Sequence, residues 1–293
     1  MNVINLTYWD SNNYGDAINP LLIKELSGID VQPKSIGLSR AERLKTVLKG
    51  FLTFKYKEIA TIPFPWDKSL LCIGSILGRS NSKSTIWGTG FMNESDQFKG
   101  GNVLAVRGKE SSRKLKIAGF NGCDVYGDPA ILLPLWIPSI EKKYELGLIP
   151  HWKEVDYFIE KFGKKYHIID LRTKNVLRIT QEISSCEHIL STSLHGLIVA
   201  HAYSVPALWI KKGYIDTDGF KFMDYFSSAN IPYYDGFMSI DEILQCEENY
   251  LQLFQNHKDK SLINNSLHDM QLGLLKVAPF KLKEKYEALC ADV

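Results

Sequence analysis

The 293-residue sequence contains no apolar run near the roughly 18 residues that would cross a bilayer. It has no CxxC pair, and its five cysteines (Cys72, Cys123, Cys186, Cys246 and Cys290) are scattered along the chain. That argues against a disulfide framework and against a thiolate zinc site, and it suits a reducing cytoplasm. There is little excess charge of either sign: 35 Lys and Arg against 33 Asp and Glu leave +2. A dedicated nucleic-acid binder is strongly basic, so no nucleic-acid partner is expected. The segment Met1 to Asp10 has neither a basic leader nor an apolar signal core. Repeats at solenoid spacing and low-complexity tracts are missing as well.

What remains is an ordinary globular composition, 45% hydrophobic and 23% charged. Short apolar runs alternate with helix-like stretches, the pattern of an α/β fold. The first half predicts strands at Val3–Tyr8, Leu70–Ile73, Thr85–Trp87, Val103–Val106 and Asp124–Tyr126. It predicts helices at Pro20–Leu26, with Asn19 as N-cap, and at Lys109–Ile117. The second half reads as three β-α-β crossovers between Gly147 and Ile210, which demand a parallel sheet. Ser239 to Glu242 resembles a capping box that opens a further helix. Pro134, Pro138 and the polar Glu141-Lys142-Lys143 mark a boundary, giving two doubly wound domains, 1–140 and 141–293, that face a cleft. Ligands of such sheets bind beyond the carboxyl ends of the strands.

Four strand-end segments therefore carry the functional weight. Asn13-Tyr14-Gly15-Asp16 follows the first strand and reads either as a turn with a cap or as an anion-binding helix start. Arg107, within Val106-Arg107-Gly108-Lys109, is a cation at a helix N-terminus, an unfavourable place unless an anion binds there. Asp128, in Gly127-Asp128-Pro129-Ala130, suits a cap more than a contact to a sugar hydroxyl. The fourth runs from Ile189 to Ala202. Ser191, Ser193 and His195 lie at the start of an apolar helix and together can hold a phosphate and supply a proton, whereas His201 reads as a core histidine.

These segments, in this order, resemble the polysaccharide pyruvyl transferase family in its Asn-x-Gly-Asp, Val-Arg-Gly, Gly-Asp-Pro-Ala and Ser-x-Leu-His-Gly motifs. Leu148-Ile149-Pro150-His151 is similar to the strand that opens the family's second half. The resemblance implies a glycosyltransferase-B type fold of two Rossmann-like domains. It implies a cytoplasmic enzyme of exopolysaccharide or capsule synthesis, with no cofactor and no metal. Phosphoenolpyruvate would be the donor, and a sugar or oligosaccharide, in some cases lipid-linked, the acceptor. It further implies that Arg107 binds donor anions and that His195 is the general acid or an imidazolium clamp on phosphate. Ser191 and Ser193 would donate to phosphate, Asn13, Gly15 and Asp16 would line the facing wall, and Asp16 would take a proton from an attacking hydroxyl. Many relatives have arginine where this chain has Ser193, so Lys109 or backbone amides are expected to supply that anion contact. A nucleotide-sugar glycosyltransferase on the same fold and a non-catalytic assembly protein are the alternatives. The former is weakened by the lack of a Glu-x7-Glu pattern in the second half.

One segment lies outside this set. Arg40, Arg43, Lys45, Lys49, Lys55 and Lys57 interleave with Leu44, Val47, Leu48, Phe51, Leu52 and Phe54. Residues 40–57 read either as a core-facing helix with a solvated basic face or as a peripheral contact with the inner face of a membrane.

Overall fold

A computed structural model describes residues 3–36, 39–64, 66–213 and 217–291. In chain order the first half comprises β1 (Val3–Tyr8), α1 (Tyr14–Ser27), β2 (Asp30–Ser35), α2 (Arg40–Leu52), α3 (Tyr56–Ala60), β3 (Ser69–Leu71), β4 (Ser84–Trp87), β5 (Asn102–Ala105) and α4 (Lys109–Ile117). The second comprises β6 (Tyr144–Ile149), α5 (Val155–Phe162), β7 (His167–Ile168), α6 (Val176–Ser184), β8 (Cys186–Ser191), α7 (Leu194–Ala202), β9 (Ala207–Trp209) and α8 (Phe220–Ala229). Four helices close the chain: α9 (Ile240–Ile243), α10 (Glu247–Asn256), α11 (Leu267–Lys276) and α12 (Glu284–Ala291).

The strands form two wholly parallel sheets, ordered β2-β1-β3-β4-β5 and β7-β6-β8-β9. Both are doubly wound. The strand order reverses between β1 and β3 in the first sheet and between β6 and β8 in the second, and such reversals open a crevice at the strands' carboxyl ends. The α/β expectation is met, and helices α4, α5 and α7 run over the spans read from the sequence.

The differences have local causes. Strand β2 was not expected, because Pro33 interrupts its pattern; it lies at the sheet edge, where proline is tolerated. Residues 124–126 contribute only a single bridge, Val106 to Tyr126. Helix α1 starts six residues earlier than Pro20, capped by the Asn13 side chain, and carries Pro20 inside it. Asn19 is no cap: it is fully buried, donates to the Ile73 carbonyl at 3.2 Å and accepts the Ile73 amide at 2.9 Å. Ser239 makes no side-chain cap and sits at φ 60°, so the expected helix breaks into the short α9 and then α10.

One apolar cluster joins the two sheets. It contains Leu6 and Leu22 from the first half, Ile149 and Leu197 from the second, and Leu274 and Tyr286 from the closing helices. Those closing helices return to the first half: Trp87 Nε1 donates to the Leu274 carbonyl at 3.0 Å, and the Lys283 amide to that of Leu26 at 2.8 Å. Helix α7 is apolar all round and buried accordingly, against α6, α8 and residues 129–135. Among the described residues no helix is long and apolar enough to cross a membrane.

Asn19 fixes the angle at which α1 leaves the strand end. Asn19→Leu should lower stability by about 1–3 kcal/mol, because it leaves the buried Ile73 amide without an acceptor. Urea denaturation measures this; an unchanged midpoint would show that the pin carries no load.

Candidate active site

The two topological reversals meet at one cavity of about 330 Å³. From the first half it is lined by Trp9 after β1, Asn13 and Asp16 of α1, and Ser75 and Arg79 after β3. From the second come His151 and Trp152 after β6, Leu171 after β7, Ser193 and His195 at the start of α7, and Lys221 in the first turn of α8.

His195 is the centre of this arrangement. Gly15 makes room for it, since a Cβ at residue 15 would lie only 2.2 Å from His195 Nδ1. Its Nε2 is buried without a hydrogen-bond partner and lies 3.9 Å from Asp128 Oδ2, which is also buried and unpartnered. Asp128 fills its expected structural role with the other oxygen, which accepts the Ala130 amide at 3.0 Å. The capping reading and a site role therefore coincide in one residue. Burial raises the Asp128 carboxyl to about 6, against the lowering effects of the Ala130 amide and Arg107. Burial, followed by the charges of Arg107 and Lys221, pushes His195 well below its usual range, so it is neutral at pH 7 in the free protein.

On the opposite wall, burial raises the Asp16 carboxyl from 3.8 to about 7, with Asp10 adding to the rise and the Trp9 amide opposing it. A carboxylate that titrates near neutrality is suited to proton transfer. Asn13 accepts the Asp16 amide as the N-cap of α1 and also lines the cavity. Ser193, the N-cap residue of α7, makes no side-chain capping bond and lines the cavity. By helix geometry the first-turn amides of α7 lack intrahelical acceptors, an arrangement able to receive an anion.

Three expectations are corrected. Arg107 does not line the cavity. Its Nε donates to Asp224 Oδ2 at 3.0 Å, with Nη2 2.9 Å from the same oxygen; Nη2 donates to the Phe91 carbonyl at 2.6 Å, and Nη1 to Ser75 Oγ at 2.5 Å. Both members of this ion pair are fully buried. Arg107 touches the site only through Ser75 and through its field. Ser191 is also fully buried; its hydroxyl is shared with the Ile149 and Ser193 carbonyls and accepts the Ser193 amide. Lys109 lines a separate cavity with Tyr126 and Asp269.

The cations that do reach the cavity, Arg79 and Lys221, were missed. Lys221 carried the same signal as Arg107, a cation in a helix's first turn, and Arg79 carried none. Trp9 and Trp152 meet edge to face at 6.4 Å from opposite halves and stay about 40% exposed, at 42% and 40%. His201 is the satisfied core residue expected, bonded to the Tyr225 hydroxyl and the Ala207 carbonyl. Among the described residues no group of three or more His, Cys, Asp or Glu is placed to hold a metal ion.

Comparison with known proteins places the same stretch of chain in context. The family model described as polysaccharide pyruvyl transferase matches residues 13–211. An uncharacterized protein of Acanthamoeba polyphaga mimivirus is 31% identical over 170 residues, 54% of this chain and 59% of that protein. The succinoglycan biosynthesis protein ExoV of Rhizobium meliloti (strain 1021) is 26% identical over 204 residues, 64% of this chain and 60% of that protein. The matches thus span about three fifths of the length of these curated relatives. No solved structure matches the chain significantly.

Two outcomes follow from the site's packing. Gly15→Ala should displace the His195 ring and abolish ligand-dependent chemistry while the far-ultraviolet spectrum stays native; a variant that keeps His195 in place, seen by histidine NMR shifts, would contradict this. Asp16 makes the fold less stable as pH rises. Below about pH 4 both states hold its proton; between 3.8 and about 7 the unfolded chain releases it and the folded chain does not. Asp16→Asn should therefore gain stability relative to the parent on going from about pH 4 to about pH 8, read by urea titration at both pH values.

Proposed function

The chain belongs to the polysaccharide pyruvyl transferase family, and from that premise we propose that it transfers a pyruvyl group from phosphoenolpyruvate to two hydroxyls of a polysaccharide sugar or its precursor, forming a cyclic ketal. We further propose that the two sheets are the halves of a glycosyltransferase-B type arrangement. The observation that supports this best is the convergence of a helix N-terminus, His195, Lys221, Arg79 and the titratable Asp16 on one cavity at both strand-order reversals.

The donor carries a carboxylate and a phosphate. The α7 amides, Ser193, Lys221 and Arg79 offer donors for both. Binding of these negative charges offsets the fields of Arg107 and Lys221, so the His195 pKa rises and the imidazole takes up a proton. His195 then protonates the methylene carbon of the donor, leaving the adjacent carbon electrophilic. A sugar hydroxyl attacks that carbon and gives its proton to Asp16. The carbon–oxygen bond to phosphate breaks, inorganic phosphate leaves, and the second hydroxyl closes the ring as its proton departs to the phosphate or solvent. Asp128, 3.9 Å from His195 Nε2, stabilises the imidazolium. Trp9 and Trp152 at the rim offer flat apolar surfaces for the C–H face of a sugar ring. The overall balance is donor plus two hydroxyls giving ketal plus phosphate, with His195 and Asp16 handling two of the protons and the phosphate or solvent the third.

Calorimetric titration with phosphoenolpyruvate tests the donor assignment. Lys221→Ala should weaken binding about 10- to 100-fold, the loss of one charge-assisted contact, and His195→Gln should bind donor but release no phosphate in the presence of acceptor. Binding of a sugar nucleotide in place of phosphoenolpyruvate would turn the assignment over to a glycosyltransferase.

A further inference from the structure

Helix α2 is specified locally by a capping box: Ser39 Oγ accepts the Glu42 amide, and the Glu42 carboxylate accepts the Ser39 amide at 2.8 Å. Its apolar residues nevertheless do not enter the core. Leu44, Leu48, Phe51, Leu52 and the following Phe54 are between 56% and 81% exposed. The helix is held by α3, with Ile59 packed so close to Gly50 that a Cβ there would collide with it. Phe51 and Phe54 both meet exposed Tyr56 edge to face, at 6.1 and 6.4 Å. The result is a continuous exposed apolar face, which in a soluble fold marks an interaction surface. Lys45 and Lys49 border it, sharing a shallow groove with Leu44, Leu48 and Leu52. Over residues 40–57 six Lys and Arg stand against one acid, Glu42, which the capping box already engages. The Arg40 side chain lies outside the described set.

We propose that this face docks on an anionic lipid bilayer. Lysine stems run beside the apolar stripe and lift their ammonium groups to headgroup level while leucine and phenylalanine enter the acyl boundary. A second copy of the chain is a poorer occupant: a twofold interface sets each patch against itself and would oppose Lys45 and Lys49 to like charges. The placement also relates to the cavity. Arg43 of α2 lines a neighbouring cavity of about 310 Å³, which shares Ile36 and Arg79 with the main one. A docked α2 would bring the mouth of the site beside the membrane surface. Docking itself does not depend on the reaction proposed above, and its test reads binding alone.

The experiment is cosedimentation of the full chain with vesicles of phosphatidylcholine alone and of phosphatidylcholine with one third phosphatidylserine, at low and high salt. Binding is expected only to the anionic vesicles, and it should fall with salt. Lys45→Gln with Lys49→Gln should weaken it about 25-fold, roughly fivefold for each lysine. Leu48→Ser with Phe51→Ser should also weaken it, with an unchanged thermal melt because both side chains are exposed. Equal sedimentation with both vesicle types, or full binding by the serine variant, overturns the proposal. So does a parent chain that is dimeric in solution and becomes monomeric in the serine variant, since the face would then belong to a second copy.

Discussion

The ion pair between Arg107 and Asp224 is what holds the two halves in the register that the cavity needs. Both groups are fully buried, and removing such charges from water costs several kcal/mol each unless every donor and acceptor is met. Here the requirement is met by groups from both halves. Asp224 on α8 accepts from Arg107 after β5 and from the amide and hydroxyl of Ser111 on α4, both at 2.7 Å. Gly90 and Gly108 permit this approach, since a Cβ at either would strike Asp224. With α8 locked against α4 in this way, Lys221 in its first turn is delivered to the cavity. Through Ser75 the same guanidinium holds the loop after β3 that forms the opposite wall.

The Arg107 guanidinium also adds to the effect of burial on the site. Arg107 sends a positive field into a region of low dielectric, where it acts on His195 together with Lys221. Burial, together with these cations, keeps His195 neutral in the free site, and burial lifts Asp16 to about 7, where its carboxylate and acid forms are both present at neutral pH. A negative charge in the cavity opposes the cationic part of the His195 shift, while the larger part, burial, remains.

The sequence made the parallel α/β architecture legible because alternation of apolar runs and amphipathic stretches is a local property. Helices α4, α5 and α7 were bounded correctly for the same reason. The N-terminal helix was misplaced because Pro20 looks like a start, while the true cap, Asn13, sits in a segment also readable as a turn. The strand-end motifs led to Asn13, Gly15, Asp16, Ser193 and His195, and the structure brings these to one cavity. Arg107 was misread for a long-range reason. Its partner, Asp224, lies 117 residues further on, and nothing near either residue announces the pairing. Ser191 and Lys109 failed similarly, being claimed by backbone carbonyls and by a different face of the fold.

That error bears on the place where this chain departs from the expected motif. Many relatives carry arginine two positions before the histidine, where this chain has Ser193, and Lys109 or backbone amides are the replacements the sequence suggests. Ser193 removes a positive charge from the helix end, yet the cavity keeps its positive character because Arg79 and Lys221 enter from elements on either side. A lysine in the first turn of α8 opposes that helix's own dipole. Ser193 and Lys221 thus form one arrangement: the serine contributes a neutral donor and space at one helix start, and the lysine contributes the charge from another. Two helix starts thus face one cavity, held in place by the buried ion pair behind them, and a single motif in the sequence does not contain that arrangement.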